Sequence, residues 1–155
     1  MNEQKYVFDS NIFINLQRRH PNDIFSSLWD KLGELIDKGI VVSSVEVFDE
    51  IAVGDDNLVD WVKGKKEAFK QSDERVQKTV RDILSKHGKL VLGGKKTNGA
   101  DPFVIALAKV NSYTVVTEET RNGNDNPPKI PNVCEDNGVR YINFVCFLRE
   151  MDIKI

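Results

Sequence analysis

Short, continuously apolar segments alternate with amphipathic segments along the chain, and this alternation constrains the fold more than any other feature. The strand-like segments are residues 5–8, 40–42, 113–117 and 141–142. They are apolar throughout rather than at every second residue, as expected for strands that are buried on both faces. Helical segments separate them, which is typical of crossover connections between parallel strands. The sequence therefore predicts an α/β protein, a three-layer sandwich in which helices cover a parallel sheet of about four or five strands.

The helical segments are predicted from apolar spacing and from residues that start or stop helices. They span residues 10–19, 23–38, 43–53, 58–71, 73–87, 101–110 and 144–151, while residues 90–92 are ambiguous and 121–138 are predicted to form a long loop. The expected helix starts are Asn22 or Asp23, a Ser43–Glu46 capping box, Ser72, and Asp101 as the cap before Pro102.

The length of 155 residues predicts one domain, residues 1–155. The formal net charge of −2 comes from 22 basic and 24 acidic residues, so the total lacks a strongly basic nucleic-acid footprint, although a local patch is compatible with it. Cys134 and Cys146 lack zinc-site spacing and are expected to be free thiols in a reducing cytoplasm. The sequence has no signal-peptide pattern and no apolar run long enough for a membrane span, so we expect a cytoplasmic protein.

Acidic residues follow the predicted strands. Asp9 ends the first strand and Glu118 and Glu119 end the strand at 113–117, while Glu50 and Asp101 lie in adjoining helices. The carboxyl ends of parallel strands meet at one edge of a sheet, so these acids are expected to converge there. Converged carboxylates repel each other unless a cation neutralises them, and oxygen ligands suit Mg²⁺ or Mn²⁺. A metal ion held in this way supports phosphodiester hydrolysis, the chemistry of nucleases.

Each acid also has an ordinary structural interpretation. Asp9 and Asp101 are suitable helix caps, Glu50 is compatible with a solvated helix face, and the Glu118–Glu119 pair is compatible with a charged turn. Their joint placement at strand ends carries more weight than any one of them.

Three stretches carry a resemblance to a known family. VFDSNIFI, VVSSVEVFDEI and NGADPFVIALAKVNSYTVVTEE match, in order and spacing, the motifs of PIN domains, and the match extends over nearly the whole chain. The stretch KIPNVCEDNGVRYINF further resembles a bacterial PIN-like subfamily close to the type II toxin ribonucleases. The resemblance implies a PIN-like fold.

The resemblance also implies a set of site residues. The metal-binding and catalytic acids it assigns are Asp9, Glu50, Asp101 and Glu119, with Asn11 and Thr117 as supporting residues. Many family members have Asp at the fourth position, where this chain has the longer Glu119. Glu118 and Asp125 compete with Glu119 for that role, and whether one or two metal ions bind stays open.

The function implied is that of an Mg²⁺- or Mn²⁺-dependent endoribonuclease, the toxin of a type II toxin–antitoxin module, with RNA as substrate, a cognate antitoxin as partner and a homodimeric state. One alternative is an inactive PIN-like module that binds RNA or acts as a scaffold. Another is a phosphatase with an aspartyl nucleophile, which usually needs a second Asp where this chain has Asn11. Candidate RNA contacts are Lys95 and Lys96, the cluster Arg18, Arg19 and His20, the lysines 63, 65 and 66, and the indoles of Trp29 and Trp61.

Overall fold

The computed structural model describes residues 4–54, 56–87, 99–121, 123 and 128–154. Its elements, in chain order, are β1 (Tyr6–Phe8), α1 (Ser10–Arg19), α2 (Ser26–Asp37), β2 (Val41–Ser44), α3 (Val45–Ile51), α4 (Asp56–Lys63), a 3-10 helix (Lys66–Ala68), β3 (Phe69–Lys70), α5 (Glu74–Lys86), α6 (Asp101–Asn111), β4 (Thr114–Val116), α7 (Ile130–Asp136), β5 (Tyr141–Ile142) and α8 (Phe144–Glu150). The predicted α/β fold, with helices flanking a parallel sheet, is confirmed.

The strands form one five-stranded sheet in the order β3-β2-β1-β4-β5, and every pair is parallel. β1 lies at the centre, where Tyr6 pairs with Val41 on one side and with Thr114 on the other. The side chains of Val7 and Phe8 are completely buried, because helices cover this central strand. The central position of β1 places Asp9, the next residue, in the middle of the carboxyl edge of the sheet.

Aromatic side chains fill the core beside β1. Phe8 packs against Phe13 of α1 and edge-on against Phe147 of α8. Trp29 of α2 is completely buried, and its indole N–H donates to the carbonyl of His20 at 2.7 Å. Trp61 is partly buried and packs edge-on against Trp29 at 4.9 Å between ring centroids. Trp29 is therefore a core residue and does not stack on RNA bases.

Several predicted helix starts are wrong by one to three residues. α2 begins at Ser26, not near Asn22 or Asp23, because the amides of Ile24 and Phe25 both donate to the Pro21 carbonyl and form a turn. In α3 the cap is Ser44, whose hydroxyl accepts from the amide of Val47. The predicted Ser43–Glu46 capping box does not form. The Ser43 hydroxyl donates instead to the Phe8 carbonyl at 2.6 Å.

Three elements were not predicted: the 3-10 helix, β3 and α7. Residues 58–71 do not form one helix: α4 ends at Lys63, and the chain then makes the 3-10 helix and β3. α7 lies inside the segment 121–138 that was predicted to be a loop. Its Pro131 is in the first helical turn, where the missing proline N–H has no helical partner to lose.

The start of α5 gives a test with a matched control. The carboxylate of Asp73, not the predicted Ser72 hydroxyl, accepts from the Val76 amide at 2.9 Å. Asp73→Ala should therefore lower the free energy of unfolding by about 0.5–2 kcal/mol. Ser72→Ala should leave it nearly unchanged, because Ser72 accepts its hydrogen bond from the Gln77 side chain at the backbone carbonyl, which the substitution keeps. Urea denaturation of both variants measures the difference, and equal losses would contradict the assignment of the cap.

Candidate active site

Asp9 occupies the centre of the acidic edge, which is the carboxyl end of the sheet where Asp9, Glu50, Asp101 and Glu119 lie. It follows β1 directly and caps α1, where its Oδ1 accepts from the amide of Asn11 at 3.4 Å. Its Oδ2 accepts from the Thr117 hydroxyl at 2.9 Å, just beyond β4. Burial, together with the charge of the nearby Glu119, raises the pKa of Asp9 to about 7 against the opposing effect of the Thr117 hydrogen bond. Asp9 thus does cap a helix, but it is also a buried carboxylate held across two neighbouring strands.

Glu50, one residue before the end of α3, connects two helix starts. The Ser10 hydroxyl donates to Glu50 Oε1 at 2.9 Å, and the Ala100 amide contacts Glu50 Oε2 at 3.4 Å. Burial is the main cause that raises its pKa. Glu50 therefore does not lie on a solvated helix face, and its carboxylate is directed toward the segments that carry Asp9 and Asp101.

Asp101 is the first residue of α6 and is 7% exposed. The predicted cap is wrong: the residue at the N-cap position is Ala100, and no side chain caps this helix. Among the described residues, none donates a hydrogen bond to the Asp101 carboxylate. Burial, and after it the charges of Asp9, Glu119 and Glu50, raise its pKa to about 9. Asp101 is thus a buried acid that lacks the hydrogen bonds a capping role would provide.

The two acids after β4 are directed to different places. Glu119 accepts from the Ile130 amide at 3.1 Å at the start of α7, and it is one of the charges that raise the pKa values of Asp9 and Asp101. Glu118 instead accepts from the Phe144 amide at 2.9 Å at the start of α8. The structure therefore brings Glu119, and not Glu118, close to the other acids. Asp125, the third competitor, lies outside the described residues.

The supporting residues differ partly from those predicted. Thr117 contacts Asp9 as expected for a supporting residue, and its oxygen also accepts from the Glu119 amide at 3.1 Å. The exposed Asn11 gives Asp9 only its backbone amide. Ser10 contacts both Glu50 and, at 3.4 Å, Asp9, and sequence reasoning missed it. The signal was present in the DSN motif, where a hydroxyl directly follows the acid.

The structure describes the surroundings of several other candidate RNA contacts. Lys65 forms an ion pair with Asp37 at 3.0 Å, and the amine of Lys66 lies over the ring of Phe48. Arg18 and Arg19 form the last turn of α1. Lys95 and Lys96 lie outside the described residues. Cys134 and Cys146 are free thiols, as expected, and Cys134 is completely buried.

A divalent cation fits the chemistry of these acids. Four carboxylates approach one another, and the groups that set the pKa values of Asp9, Glu50 and Asp101 include no basic side chain of the described residues. The buried Asp101 carboxylate accepts no hydrogen bond from a described residue, and it therefore needs a proton or a cation. Within the described residues, however, no three acids, histidines or cysteines are already placed to share one metal ion. To bind one metal ion, the side chains of these acids would therefore have to move closer together.

Comparison with known families decides which family this chain represents. A family model described as "Domain of unknown function (DUF4411)" matches residues 6–155. The chain belongs to the DUF4411 family. The DUF4411 chain is also similar to the crystal structure of FitAcB from Neisseria gonorrhoeae, with a TM-score of 0.53 and 20% identity over 89% of this chain and 96% of the other. This likeness concerns the fold. No curated protein sequence matches the chain.

The described part of this DUF4411 chain contains no helix with the length and apolar character needed to cross a membrane. Its candidate site lies instead at the carboxyl edge of the sheet, on α1, α3, α6 and the segment after β4.

The contact between Thr117 and Asp9 can be tested in the DUF4411 chain by Thr117→Val. The substitution keeps the shape but removes the hydroxyl, so the pKa of Asp9 should rise above about 7. The unfolding free energy should fall by about 1–3 kcal/mol, because a buried carboxylate loses its donor. Thr114→Val, at the other end of β4, is the control. Carboxyl NMR titration in EDTA should show the same Asp9 pKa in that control as in the wild type, and an unshifted Asp9 in Thr117→Val would exclude this role for Thr117.

Proposed function

We propose that this chain is a PIN-like endoribonuclease that depends on Mg²⁺ or Mn²⁺. The observation that carries the proposal is the approach of Asp9, Glu50, Asp101 and Glu119, from four separate chain segments, to the carboxyl edge of the sheet. This edge is where α/β folds bind ligands. Asp9 and Asp101 are buried, and Glu50 and Glu119 are partly buried beside them. Placing these acids together is unfavourable for stability, which indicates that the arrangement serves a function.

The metal ion would be held by the same four acids. Once bound, it supplies a Lewis acid that lowers the pKa of a water molecule and offsets negative charge on a phosphate. The hydroxyls of Thr117 and Ser10 orient Asp9 and Glu50, each through a hydrogen bond of 2.9 Å. The amide of Ile130 orients Glu119. These hydrogen bonds hold one oxygen of each of the three carboxylates. The second oxygen of Asp9 and that of Glu50 make only longer contacts, at 3.4 Å, which a bound ligand would replace.

Two alternatives receive less support. An inactive PIN-like module does not need to keep two buried and two partly buried acids together, because they cost stability. An aspartyl phosphatase needs a second acid two residues after its nucleophile, and the exposed Asn11 stands there. The phosphatase is tested by release of inorganic phosphate from small phosphoesters.

A toxin role with a cognate antitoxin, and a homodimeric state, are proposed from the PIN-like motifs together with the fold. Co-expression with the product of an adjacent gene for a small DNA-binding protein tests the partner. Growth arrest that this product relieves would support the toxin role, and light scattering measures the oligomeric state.

The direct test of the proposed function is cleavage of defined RNAs in Mg²⁺ or Mn²⁺, with EDTA as the negative condition. We expect internal cleavage that requires the metal and that is lost in Asp101→Asn. Mapping the ends of the fragments identifies the bonds that are cut. Wild-type protein that cleaves equally well in EDTA would contradict the metal requirement, and complete absence of cleavage across varied RNAs would favour the inactive module.

A further inference from the structure

A groove of about 130 Å³ lies between α1 and the start of α8. Its walls are apolar: Ile12 and Leu16 on α1, and Phe144 and Val145 on α8. Val145 is 52% exposed and is one of the most exposed large apolar side chains among the described residues. None of these residues belongs to the acidic edge itself.

Residues at one end of the groove are close in the chain to residues of the acidic edge, and the other end is basic. Ile12 lies three residues, less than one helical turn, after Asp9, and Glu118 directly follows Thr117. Arg19 and His20 line the opposite end. The nine residue steps from Ser10 to Arg19 correspond to about 14 Å along α1. A single nucleic-acid strand that leaves the acidic edge along α1 would therefore pass through an apolar groove toward positive charge.

These features match the parts of a nucleotide. Basic side chains attract the phosphate backbone, while apolar and aromatic walls accept the faces of an unstacked base. Glu118 adds a polar group to the wall. Its Oε2 accepts the Phe144 amide, which fixes the carboxylate, and its Oε1 accepts from none of the described residues. A fixed acceptor of this kind can pair with an amino group on a base edge.

We propose that this groove binds the nucleotide adjacent to the scissile phosphate of single-stranded RNA, with the base between the walls, its amino group donating to Glu118, and the neighbouring phosphate contacting Arg19 and His20. This inference rests on the proposed ribonuclease function. Adenine, cytosine and guanine each carry an exocyclic amino donor. Uracil carries none. Its N3–H is flanked by two carbonyl oxygens that repel the carboxylate, so uridine is disfavoured at this position.

An apolar protein segment is the alternative occupant of such walls. The groove is short, a carboxylate lies in its wall, and two basic residues line its end. Apolar walls with a carboxylate and basic residues, close in the chain to the acidic edge, suit a nucleotide better than an apolar protein segment.

The test measures binding separately from cleavage. Fluorescence anisotropy with labelled hexanucleotides A6, C6 and U6, in EDTA, should show the wild type binding A6 and C6 about tenfold more tightly than U6. Glu118→Gln keeps an oxygen for the Phe144 amide but removes the charge, and it should reduce this preference to about twofold or less. Arg19→Ala should weaken the binding of all three oligonucleotides alike, because phosphate contacts do not read sequence.

Val145→Asp and Val53→Asp form a matched pair. Both add one negative charge at an exposed valine, but Val53, at 86% exposure, follows α3 and does not line the groove. Val145→Asp should weaken binding about tenfold, because like charge repels the phosphates and the apolar wall is lost. Val53→Asp should bind as the wild type does. Circular dichroism and thermal unfolding confirm that each variant is folded before it is compared.

Defined outcomes overturn the inference. They are absence of RNA binding by the wild type, an unchanged preference in Glu118→Gln, and equal effects of the two valine substitutions. If Val145→Asp converts a dimer to a monomer without changing RNA affinity, the groove is an interface between copies of this chain. Selective binding without cleavage in Mg²⁺ or Mn²⁺ would leave the groove assignment standing while the proposed function fails. Metal-dependent cleavage that no groove substitution affects would support the proposed function and contradict the groove assignment.

Discussion

Asp101→Asn is expected to reduce metal-dependent RNA cleavage by about 10²–10³-fold or more. Asparagine has nearly the same shape as aspartate but lacks the negative charge on which metal binding and water activation depend. The structure sharpens this test, because Asp101 provides no side-chain cap to α6 and accepts no hydrogen bond from the described residues. Loss of activity therefore cannot be attributed to loss of a cap.

The same substitution has an opposite effect on the metal-free protein. At pH 8 the wild-type carboxyl, with a pKa of about 9, is held near three other acids in a buried position. Asp101→Asn removes the ionisable carboxyl and its repulsion by the other acids. It should raise the unfolding free energy at pH 8 by about 1–3 kcal/mol relative to the wild type. The gain should shrink toward pH 5, because the folded wild type must protonate Asp101, and this costs less free energy as the pH approaches the ordinary pKa of 3.8 in the unfolded chain.

Asp82→Asn is the matched control, since Asp82 is an exposed residue of α5. It should change neither cleavage nor the pH dependence of stability. If Asp101→Asn cleaves RNA at the wild-type rate, in preparations shown to be free of contaminating ribonuclease, Asp101 does not belong to the active site.

Mg²⁺ or Mn²⁺ should stabilise the folded protein strongly at alkaline pH and weakly at acidic pH. A ligand that binds only the folded state at a thousand times its Kd adds about 4 kcal/mol to the unfolding free energy. Protons compete with the metal for the carboxylates of Asp9 and Asp101, whose pKa values are raised to about 7 and about 9. Thermal unfolding with and without metal at pH 6 and pH 8.5 measures the effect.

In EDTA the pH dependence should have a definite sign. The folded-state pKa values of both aspartates lie above their ordinary value of 3.8. At pH values between 3.8 and these raised pKa values, the folded protein therefore binds more protons than the unfolded chain. Stability should therefore fall as pH rises from about 5 to 9. The acids with lowered pKa values, Glu135, Asp136 and Glu150, act in the opposite direction only at lower pH. Metal-free stability that rises over this window would contradict the buried acidic cluster.

The acidic edge was predictable because it follows from topology rather than from detailed packing. Continuously apolar strands separated by helices require a parallel sheet, and the sequence positions of Asp9 and Glu119 relative to their strands then place them at one edge. The structure brings these two acids together with Glu50 and Asp101 as expected. Their roles in metal binding and catalysis remain predictions.

The missed features depend on contacts that a sequence does not display. β3 is only two residues long, and it forms because Phe69 is buried beside β2, not because of a local strand pattern. α7 was missed because three prolines suggested a loop, although Pro131 is compatible with a first helical turn. Asn11 was favoured over Ser10 through a family motif. Adjacent residues on a helix differ by about 100° in direction, and only Ser10 points toward Glu50.

The hydrogen bond between Thr117 and Asp9 joins residues that are 108 positions apart in the chain. Strand β1 pairs with β4 over the same separation, so the centre of the sheet can close only after most of the polypeptide is available. Contacts of such high sequence separation form late and slowly in folding. A ribosome-bound nascent chain that stops before residue 117 therefore lacks the completed acidic edge. Hydrogen exchange at the Asp9 and Thr117 amides should accordingly occur through global unfolding, not through local opening.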